Sequence, residues 1–218
     1  MAGAAPNRWL FGSVAESVVA SSPVPVLLER AWQPIRREPL LADQPTLLVP
    51  LDGSAFAESA IEPAAAFADD LGAELVLLRV EHPPTDVLRD EYGRTIAYLD
   101  ELEDRAEQQA GDYLDQVAVG ALKYWPGVPI HTTVRFGAPA ACIAEAATTA
   151  GVALVFMATH GRSGLRRAVM GSVAGQVLEH GSIPLVLIRP AALPTTLVFG
   201  STARSGNSES KRTPAHSA

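Results

Sequence analysis

Residues 46–80 have the sequence TLLVPLDGSAFAESAIEPAAAFADDLGAELVLLRV, which has the pattern of a strand, a helix and a second strand. It begins and ends with short, nearly continuous apolar runs, residues 46–51 and 74–80, which are typical of strands buried on both faces. Gly72 is placed to end a helix between these two strands. Pro63 is expected either to kink this helix or to lie near its start. The helix itself is predicted by apolar residues at spacings of three and four: Phe56, Ala60, Ala64, Phe67, Ala68 and Leu71.

The alternation of strands and helices continues to about residue 190. Three further strands are predicted at residues 130–135, 153–158 and 185–188, and three further helices at about 96–119, 138–150 and 171–180. Five strands joined by helical segments predict an α/β fold, an open five-stranded parallel sheet with helices on both faces.

Composition excludes several classes of protein. Of the 218 residues, 48% are hydrophobic and 19% are charged, which suits a globular core rather than a chain disordered throughout. The formal charge of −7 gives no general attraction to nucleic acid or to anionic lipid, and the apolar runs are too short for a membrane helix. A single cysteine, Cys142, and no signal-peptide pattern at Met1 predict a cytoplasmic protein.

An internal repeat lies at the N-terminal end. Residues 12–30, GSVAESVVASSPVPVLLER, align without gaps with residues 171–189, GSVAGQVLEHGSIPLVLIR, at a constant offset of 159 residues. We call these segments the N-terminal copy and the C-terminal copy. The alternative is a chance likeness between two Ala/Val-rich helix–strand units.

The repeat divides the chain into four parts. Residues 1–30 are interpreted as the remnant helix and strand of a preceding domain copy, and residues 31–44 as a linker. Residues 45–190 form one complete domain, and residues 191–218, rich in Ser, Thr, Gly and Arg, are predicted to be a disordered tail.

The glycine-rich segment 157–173, MATHGRSGLRRAVMGSV, follows the fourth strand. Glycines permit close backbone approach to a ligand, and the Gly171–Ser172 pair opens a helix whose N-terminal N–H groups favour an anion. Ligands of open α/β sheets bind beyond the carboxyl ends of the strands, so this position indicates phosphate binding. The alternative is that these glycines only form turns.

A second candidate element, VPLDGS at residues 49–54, follows the first strand. Asp52 is placed where a carboxylate can accept hydrogen bonds from a ribose hydroxyl or an adenine amine, and Ser54 can cap the next helix. The alternative is that Asp52 is itself only a turn or cap residue.

These residues resemble the universal stress protein family, over about residues 45–190 with the remnant at 8–30. The likeness rests on the opening VPLDGSAFAESA and on the closing MATHGRSGLRRAVMGSVAGQVLEHGSIPLVLI. It implies the strand order 3-2-1-4-5 of a Rossmann-like sheet and a bound adenine nucleotide, ATP, with any Mg²⁺ arriving with the nucleotide. The family's glycine signature has its two later glycines here, Gly161 and Gly171, but Ala158 stands at the first position.

The resemblance also implies roles for individual residues. Asp52 meets the adenosine, and Pro50, Val80 and Met157 line its pocket. The ribose and phosphates are held by five residues of the glycine-rich segment: Gly161, Arg162, Gly171, Ser172 and Val173. From the residues alone we add Arg166 and Arg167 as groups within reach of the phosphates, with a solvated role as the alternative.

The predicted function is a stress-response regulatory module that binds ATP with little or no hydrolysis. A phosphate-binding loop of the type Gly-x4-Gly-Lys-Ser/Thr is absent, and His160 lacks the partners of a catalytic base. We therefore predict no enzyme activity, no catalytic residue and no dedicated metal site. The alternatives are an interaction module of the same family that binds no nucleotide, and a slow ATPase or other ATP-using α/β enzyme.

The expected partner is a second copy of the chain, since domains of the resembled family pair across their fifth strands. That edge would be formed here by Leu185, Val186, Leu187 and Ile188. Strand residues of the remnant, among them Val24, Val26 and Leu28, are predicted to dock antiparallel beside this edge, in their own chain or exchanged within a homodimer.

Overall fold

The computed structural model describes residues 13–29, 38–83, 88–89, 95–97, 99–159 and 171–190. Six α-helices are present in these ranges: α1 (Ser13–Ser21), α2 (Ala55–Glu58), α3 (Ile61–Leu71), α4 (Leu99–Leu122), α5 (Pro139–Thr149) and α6 (Ser172–His180). The strands are β1 (Val26–Leu28), β2 (Thr46–Leu51), β3 (Glu74–Glu81), β4 (Leu88–Arg89), β5 (Thr95–Ala97), β6 (Ile130–Phe136), β7 (Leu154–Ala158) and β8 (Leu185–Ile188). The predicted C-terminal tail lies outside the described residues. Of the helices in these ranges, none is both long and apolar enough to cross a membrane.

The main sheet has the order β1-β8-β7-β2-β3-β6. The five strands of the predicted domain are parallel and follow the order 3-2-1-4-5, which confirms the fold class. The five predicted strands are extended to a six-stranded sheet, because β1 lies antiparallel to β8, beside the edge where the remnant strand was expected to dock. A strand at a sheet edge presents unpaired backbone groups, and β1 pairs with those of β8.

Hydrophobic cores cover both faces of the sheet. On one face, α2, α3 and α4 pack over side chains such as Leu47, Leu77 and Phe156. On the other face, α5 and α6 pack over Leu48 and Leu187, among others. The helix that follows β2 and the helix that follows β7 therefore lie on opposite faces.

Two helices differ from their predicted bounds. The helix predicted after the first strand is split into α2 and α3, since Pro63 has no N–H to donate to the carbonyl of Ser59 and its ring crowds that carbonyl. Gly72 ends α3 as predicted, in the left-handed conformation with φ of 64°. The helix predicted from residue 96 begins at Leu99, because residues 95–97 pair with residues 88–89 in a small antiparallel hairpin.

The N-terminal copy forms the elements that its sequence predicts. Its helix α1 and strand β1 correspond in position to α6 and β8 of the C-terminal copy. Strand β1 lies antiparallel to β8 of the same chain, with Leu27 opposite Val186. The edge on which the sequence predicts a homodimer is thus paired with the chain's own N-terminal segment. A short 3₁₀ helix, Glu38–Leu41, lies within the segment predicted as a linker.

Candidate functional site

A crevice opens between β2 and β7 at their carboxyl ends. Strand β2 pairs with β3 along its whole length, to Leu51, but with β7 only at Leu47 and Leu48. Pro50 follows this point and has no backbone N–H to donate to a neighbouring strand. The strands separate where the helices on either side lie on opposite faces, which is the position where open α/β sheets bind ligands.

The crevice holds a cavity of about 290 Å³ with predominantly apolar walls. Eight of the ten predicted site residues line it: Pro50, Asp52, Val80, Met157, Ala158, Gly171, Ser172 and Val173. They come from the ends of three neighbouring strands and from the start of α6. The other two, Gly161 and Arg162, lie outside the described residues, as do His160, Arg166 and Arg167.

Asp52 lies in a tight turn at the mouth of the cavity. Its Oδ1 accepts hydrogen bonds from the backbone N–H of Ser54 at 2.9 Å and from the Ser54 hydroxyl at 2.5 Å. Gly53 permits this turn with a φ of 79°, and the Ser54 oxygen also accepts from the N–H of Ala57, capping α2 as predicted. Asp52 is therefore a turn residue and a wall of the cavity at the same time, with its carboxylate held in one orientation.

The N-terminus of α6 forms another wall of the cavity. Gly171 is its N-cap residue, and no side chain of the described residues caps it. The Gly171 N–H donates to the carbonyl of Thr159 at 2.7 Å, so the two ends of the intervening segment 160–170 meet beside the cavity. Backbone N–H groups of the first helical turn and the positive end of the helix dipole suit an anionic group.

Ala158 stands where the family signature has its first glycine, and it lies at the end of β7. It is buried and lines the cavity. Among the described residues no residue other than glycine has a positive φ, so the backbone at this position does not need glycine. Compared with the glycine of the family signature, Ala158 therefore adds one methyl group to the cavity wall.

Sequence reasoning missed part of the lining. Five further residues belong to it: Leu51, Ala57, Pro139, Ile143 and Ala174. Pro139 begins α5 directly after the third strand of the parallel sheet, so the pattern of strand end followed by helix start was a usable signal. Ile143 lies one turn later on the same helix and is buried, and only the packing of α5 on the sheet brings it to the cavity.

A second cavity of about 310 Å³ lies near the same turn, beside α4. It includes Gly53 and the buried Arg79, whose Nε donates to Glu81 Oε1 at 2.7 Å and whose guanidinium lies 5.4 Å from the ring centre of Tyr113. The Tyr113 hydroxyl donates to Glu58 Oε1 at 2.9 Å. Burial and the nearby Glu58 carboxylate raise the pKa of the Tyr113 phenol, which keeps it a hydrogen-bond donor.

The remaining candidate groups are the cysteine and the side chains that could bind a metal ion. Cys142 is partly buried on α5, and its Sγ lies 3.6 Å from the carbonyl oxygen of Phe136. Within the described ranges, no group of three or more His, Cys, Asp or Glu side chains is arranged to hold a metal ion.

Comparison with known proteins gives the family. The model of the universal stress protein family matches residues 45–189. A universal stress protein of Mycobacterium tuberculosis is 30% identical over 183 residues, which cover 84% of this chain and 57% of that protein. The universal stress protein YxiE of Bacillus subtilis is 27% identical over 146 residues, covering 66% of this chain and 97% of that protein. The chain spans little more than half the length of the mycobacterial relative.

Solved structures show the same fold. Universal stress protein UspA from Lactobacillus plantarum is similar at a TM-score of 0.55 and 24% identity, over 66% of this chain and 97% of that one. A universal stress protein from Archaeoglobus fulgidus is similar at a TM-score of 0.51 and 22% identity, over 83% of this chain and 55% of that one. From its family match, which spans the whole parallel sheet, the chain belongs to the universal stress protein family.

Proposed function

We propose that this chain is a regulatory protein that binds ATP or another adenine nucleotide in the crevice between β2 and β7, with little or no hydrolysis. The observation that carries the proposal is the joint position of Asp52 and the α6 N-terminus on one apolar cavity at the switch point of the sheet. We also propose a cytoplasmic setting, because a single cysteine forms no internal disulfide.

Each wall suits one part of a nucleotide. Pro50, Val80 and Met157 offer an apolar surface to the adenine base. The Asp52 carboxylate, oriented by Ser54, is an acceptor for ribose hydroxyls. The α6 N-terminus offers backbone N–H groups to the phosphate oxygens. A magnesium ion carried by the nucleotide would partly neutralise the negative charge of the phosphates.

Charge in the glycine-rich segment supports the same assignment. Residues 160–170 contain Arg162, Arg166 and Arg167 and no acidic residue, although the whole chain carries a formal charge of −7. Their segment begins and ends beside the cavity, at Thr159 and Gly171. In the sequence, these three arginines stand between two residues that lie beside the cavity.

Little hydrolysis is expected because the described cavity lining contains no group suited to activate a water. Its only carboxylate is Asp52, which already accepts two hydrogen bonds from Ser54. An interaction module that binds no nucleotide is the second candidate, favoured by the Ala158 methyl in the cavity wall.

The deciding experiment measures nucleotide directly. We expect purified protein to release an adenine nucleotide on heating, identified by mass, and to bind added ATP in calorimetry. Protein that carries no nucleotide and shows no heat with ATP, ADP or AMP would establish the interaction module instead. Release of phosphate at about 1–10 s⁻¹, an ordinary enzymatic rate, would establish an ATPase.

A matched pair of variants tests the position of the site. Gly171→Asp places a carboxylate at the α6 N-terminus, where Asp is a favourable N-cap residue, so we expect a folded protein that has lost ATP binding. Gly171→Asn has the same shape without the charge, and it should bind ATP better than the aspartate variant by at least tenfold. Equal affinity of the aspartate variant and the parent would show that the phosphates bind elsewhere.

A further inference from the structure

Helix α2 runs from the turn that holds Asp52 to a contact with α4, and it is bonded at both ends. At its N-terminal end the Ser54 oxygen accepts from the Ala57 N–H at 3.2 Å, and the Ser54 hydroxyl donates to Asp52 Oδ1. At its C-terminal end Glu58 Oε1 accepts from the hydroxyl of Tyr113 on α4 at 2.9 Å. A helix of four residues is too short to be stable alone, so its position depends on these end contacts.

Tyr113 is itself held in place for this hydrogen bond. The guanidinium of Arg79 lies 5.4 Å from the ring centre, within the range of a cation–π contact. Arg79 is 8% exposed and its Nε donates to Glu81 Oε1 at 2.7 Å, so the cation is fixed as well. Burial raises the pKa of the Tyr113 phenol, and the Glu58 and Asp52 carboxylates add to the shift. The phenol therefore stays protonated and remains a hydrogen-bond donor throughout the physiological pH range.

The second cavity makes the Tyr113 side chain dependent on its polar contacts. Beside the ring, this cavity is lined in part by the small residues Gly53, Ala106 and Ala110. A side chain next to open space is not fixed by packing alone, since it has no neighbouring atoms on that side. The hydrogen bond between Tyr113 and Glu58 therefore fixes the end of α2 relative to α4.

We propose that Tyr113 is a positioning residue for the nucleotide site: it holds Glu58 and so fixes α2, and α2 fixes the turn that orients the Asp52 carboxylate. This role rests on the proposed function, in which Asp52 meets the nucleotide. Tyr113 lines the second cavity rather than the crevice, and its effect passes through Ala57, which lines the crevice and is bonded to Ser54. Loss of the Tyr113 hydroxyl therefore weakens nucleotide binding from outside the crevice.

The test removes one hydroxyl group and compares it with a matched loss elsewhere on α4. Tyr113→Phe removes the bond to Glu58, whereas Thr132→Val removes a bond of similar length, 3.0 Å, from Thr132 Oγ1 to Asp115 Oδ1 of the same helix. In calorimetry of the full chain with ATP, the Kd of Tyr113→Phe should rise about three- to tenfold, and that of Thr132→Val should change by less than about twofold.

Two substitutions at Glu58 separate the hydrogen bond from the charge. Glu58→Gln keeps an oxygen that accepts from the phenol, so its affinity for ATP should stay close to that of the parent. Glu58→Ala should bind ATP as weakly as Tyr113→Phe, and the two changes together should be no worse than either alone. Glu58→Ala also replaces Tyr113→Phe if that variant does not unfold cooperatively.

Hydrogen exchange in nucleotide-free protein measures the positioning directly. The Ser54 N–H is bonded to Asp52 and the Ala57 N–H to Ser54, so both amides report on the turn. Both should exchange at least about threefold faster in Tyr113→Phe than in the parent, and at the parent's rate in Thr132→Val. Unchanged exchange in Tyr113→Phe would overturn the role of Tyr113.

The binding results separate this role from the proposed function. A parent that binds no adenine nucleotide would overturn the proposed function and the role of Tyr113 with it. A parent that binds ATP, with a folded Tyr113→Phe variant that binds it equally well, would overturn the role of Tyr113 alone. Equal weakening by Thr132→Val would do the same, because it would assign the effect to the general stability of α4.

Discussion

The two copies of the repeated sequence form the same elements but differ in how they are buried. Val177 of α6 is 4% exposed, whereas its counterpart Val18 of α1 is 47% exposed. Val186 of β8 is 7% exposed, whereas its counterpart Leu27 is 52% exposed. The C-terminal copy has a complete sheet and helices on both faces, and the N-terminal copy has only the edge that β8 offers. Similar local sequence therefore gives a helix and a strand in both places, while its contribution to stability depends on its neighbours.

The two copies should differ most in the loss of unfolding free energy when the counterparts Leu187 and Leu28 are replaced. Leu187 is 1% exposed in the core, so Leu187→Ala should lower the free energy of unfolding by about 2–5 kcal/mol. Leu28 is only partly buried, so Leu28→Ala should cost about 1–2 kcal/mol. Urea denaturation of both variants measures the difference. Equal losses would mean that β1 is as firmly integrated as β8.

A smaller difference is expected at Val177 and Val18. Threonine has nearly the shape of valine, so the substitution mainly adds a hydroxyl group. Val177→Thr buries that hydroxyl and should cost about 1–3 kcal/mol, whereas Val18→Thr leaves it in water and should change stability by less than about 0.5 kcal/mol. Thermal unfolding of the two variants tests this, and a large loss for Val18→Thr would show that α1 is covered in the native protein.

The smallest expected difference is at the residue that ends each helix, Gly181 in one copy and Ser22 in the other. A Cβ atom at Gly181 would lie 2.5 Å from the carbonyl oxygen of Val177, so Gly181→Ser forces a backbone shift that should cost about 1 kcal/mol. Ser22→Gly removes the hydroxyl bonded to Val24 and should cost about 0.5–1 kcal/mol. Chemical denaturation of both swaps measures the effect. A Gly181→Ser protein as stable as the parent would mean that the α6 end relaxes without cost.

Much of the fold could be predicted from local pattern. Strands β2 and β8 have the predicted bounds, because unbroken apolar runs bounded by turn residues mark strands that are buried on both faces. The single helix predicted over residues 56–71 is interrupted at Ser59 and Ala60, and Pro63 lies near the start of α3, which was one of its two predicted positions. The apolar spacing is the same on either side of the break, so it did not reveal the interruption. The hairpin of β4 and β5 was missed because its strands are two and three residues long, too short for a periodic signal.

The candidate site could be predicted where its residues follow strand ends. Asp52 and Gly171 stand in recognisable strand–turn–helix positions, and the structure brings both to one cavity. Ile143 gave no comparable signal, since an isoleucine on an Ala-rich helix face has the same pattern whether it lines a cavity or fills a core. Ile143 is far from Asp52 in the sequence, and the two residues come close only because α5 packs on the sheet.

Local pattern was enough for most strands and helices and for the repeat, because apolar spacing, glycine and proline act over a few residues, and the strand order followed from the resemblance to a known family. The structure adds where β2 and β7 separate, that Ile143 joins the crevice, and that β1 pairs with β8 of its own chain in one particular register. These depend on contacts between residues far apart in the chain. The sequence pointed to the β8 edge as the docking site of the remnant strand, but the choice between the same chain and a partner, and the register, depend on how the strands pack side by side.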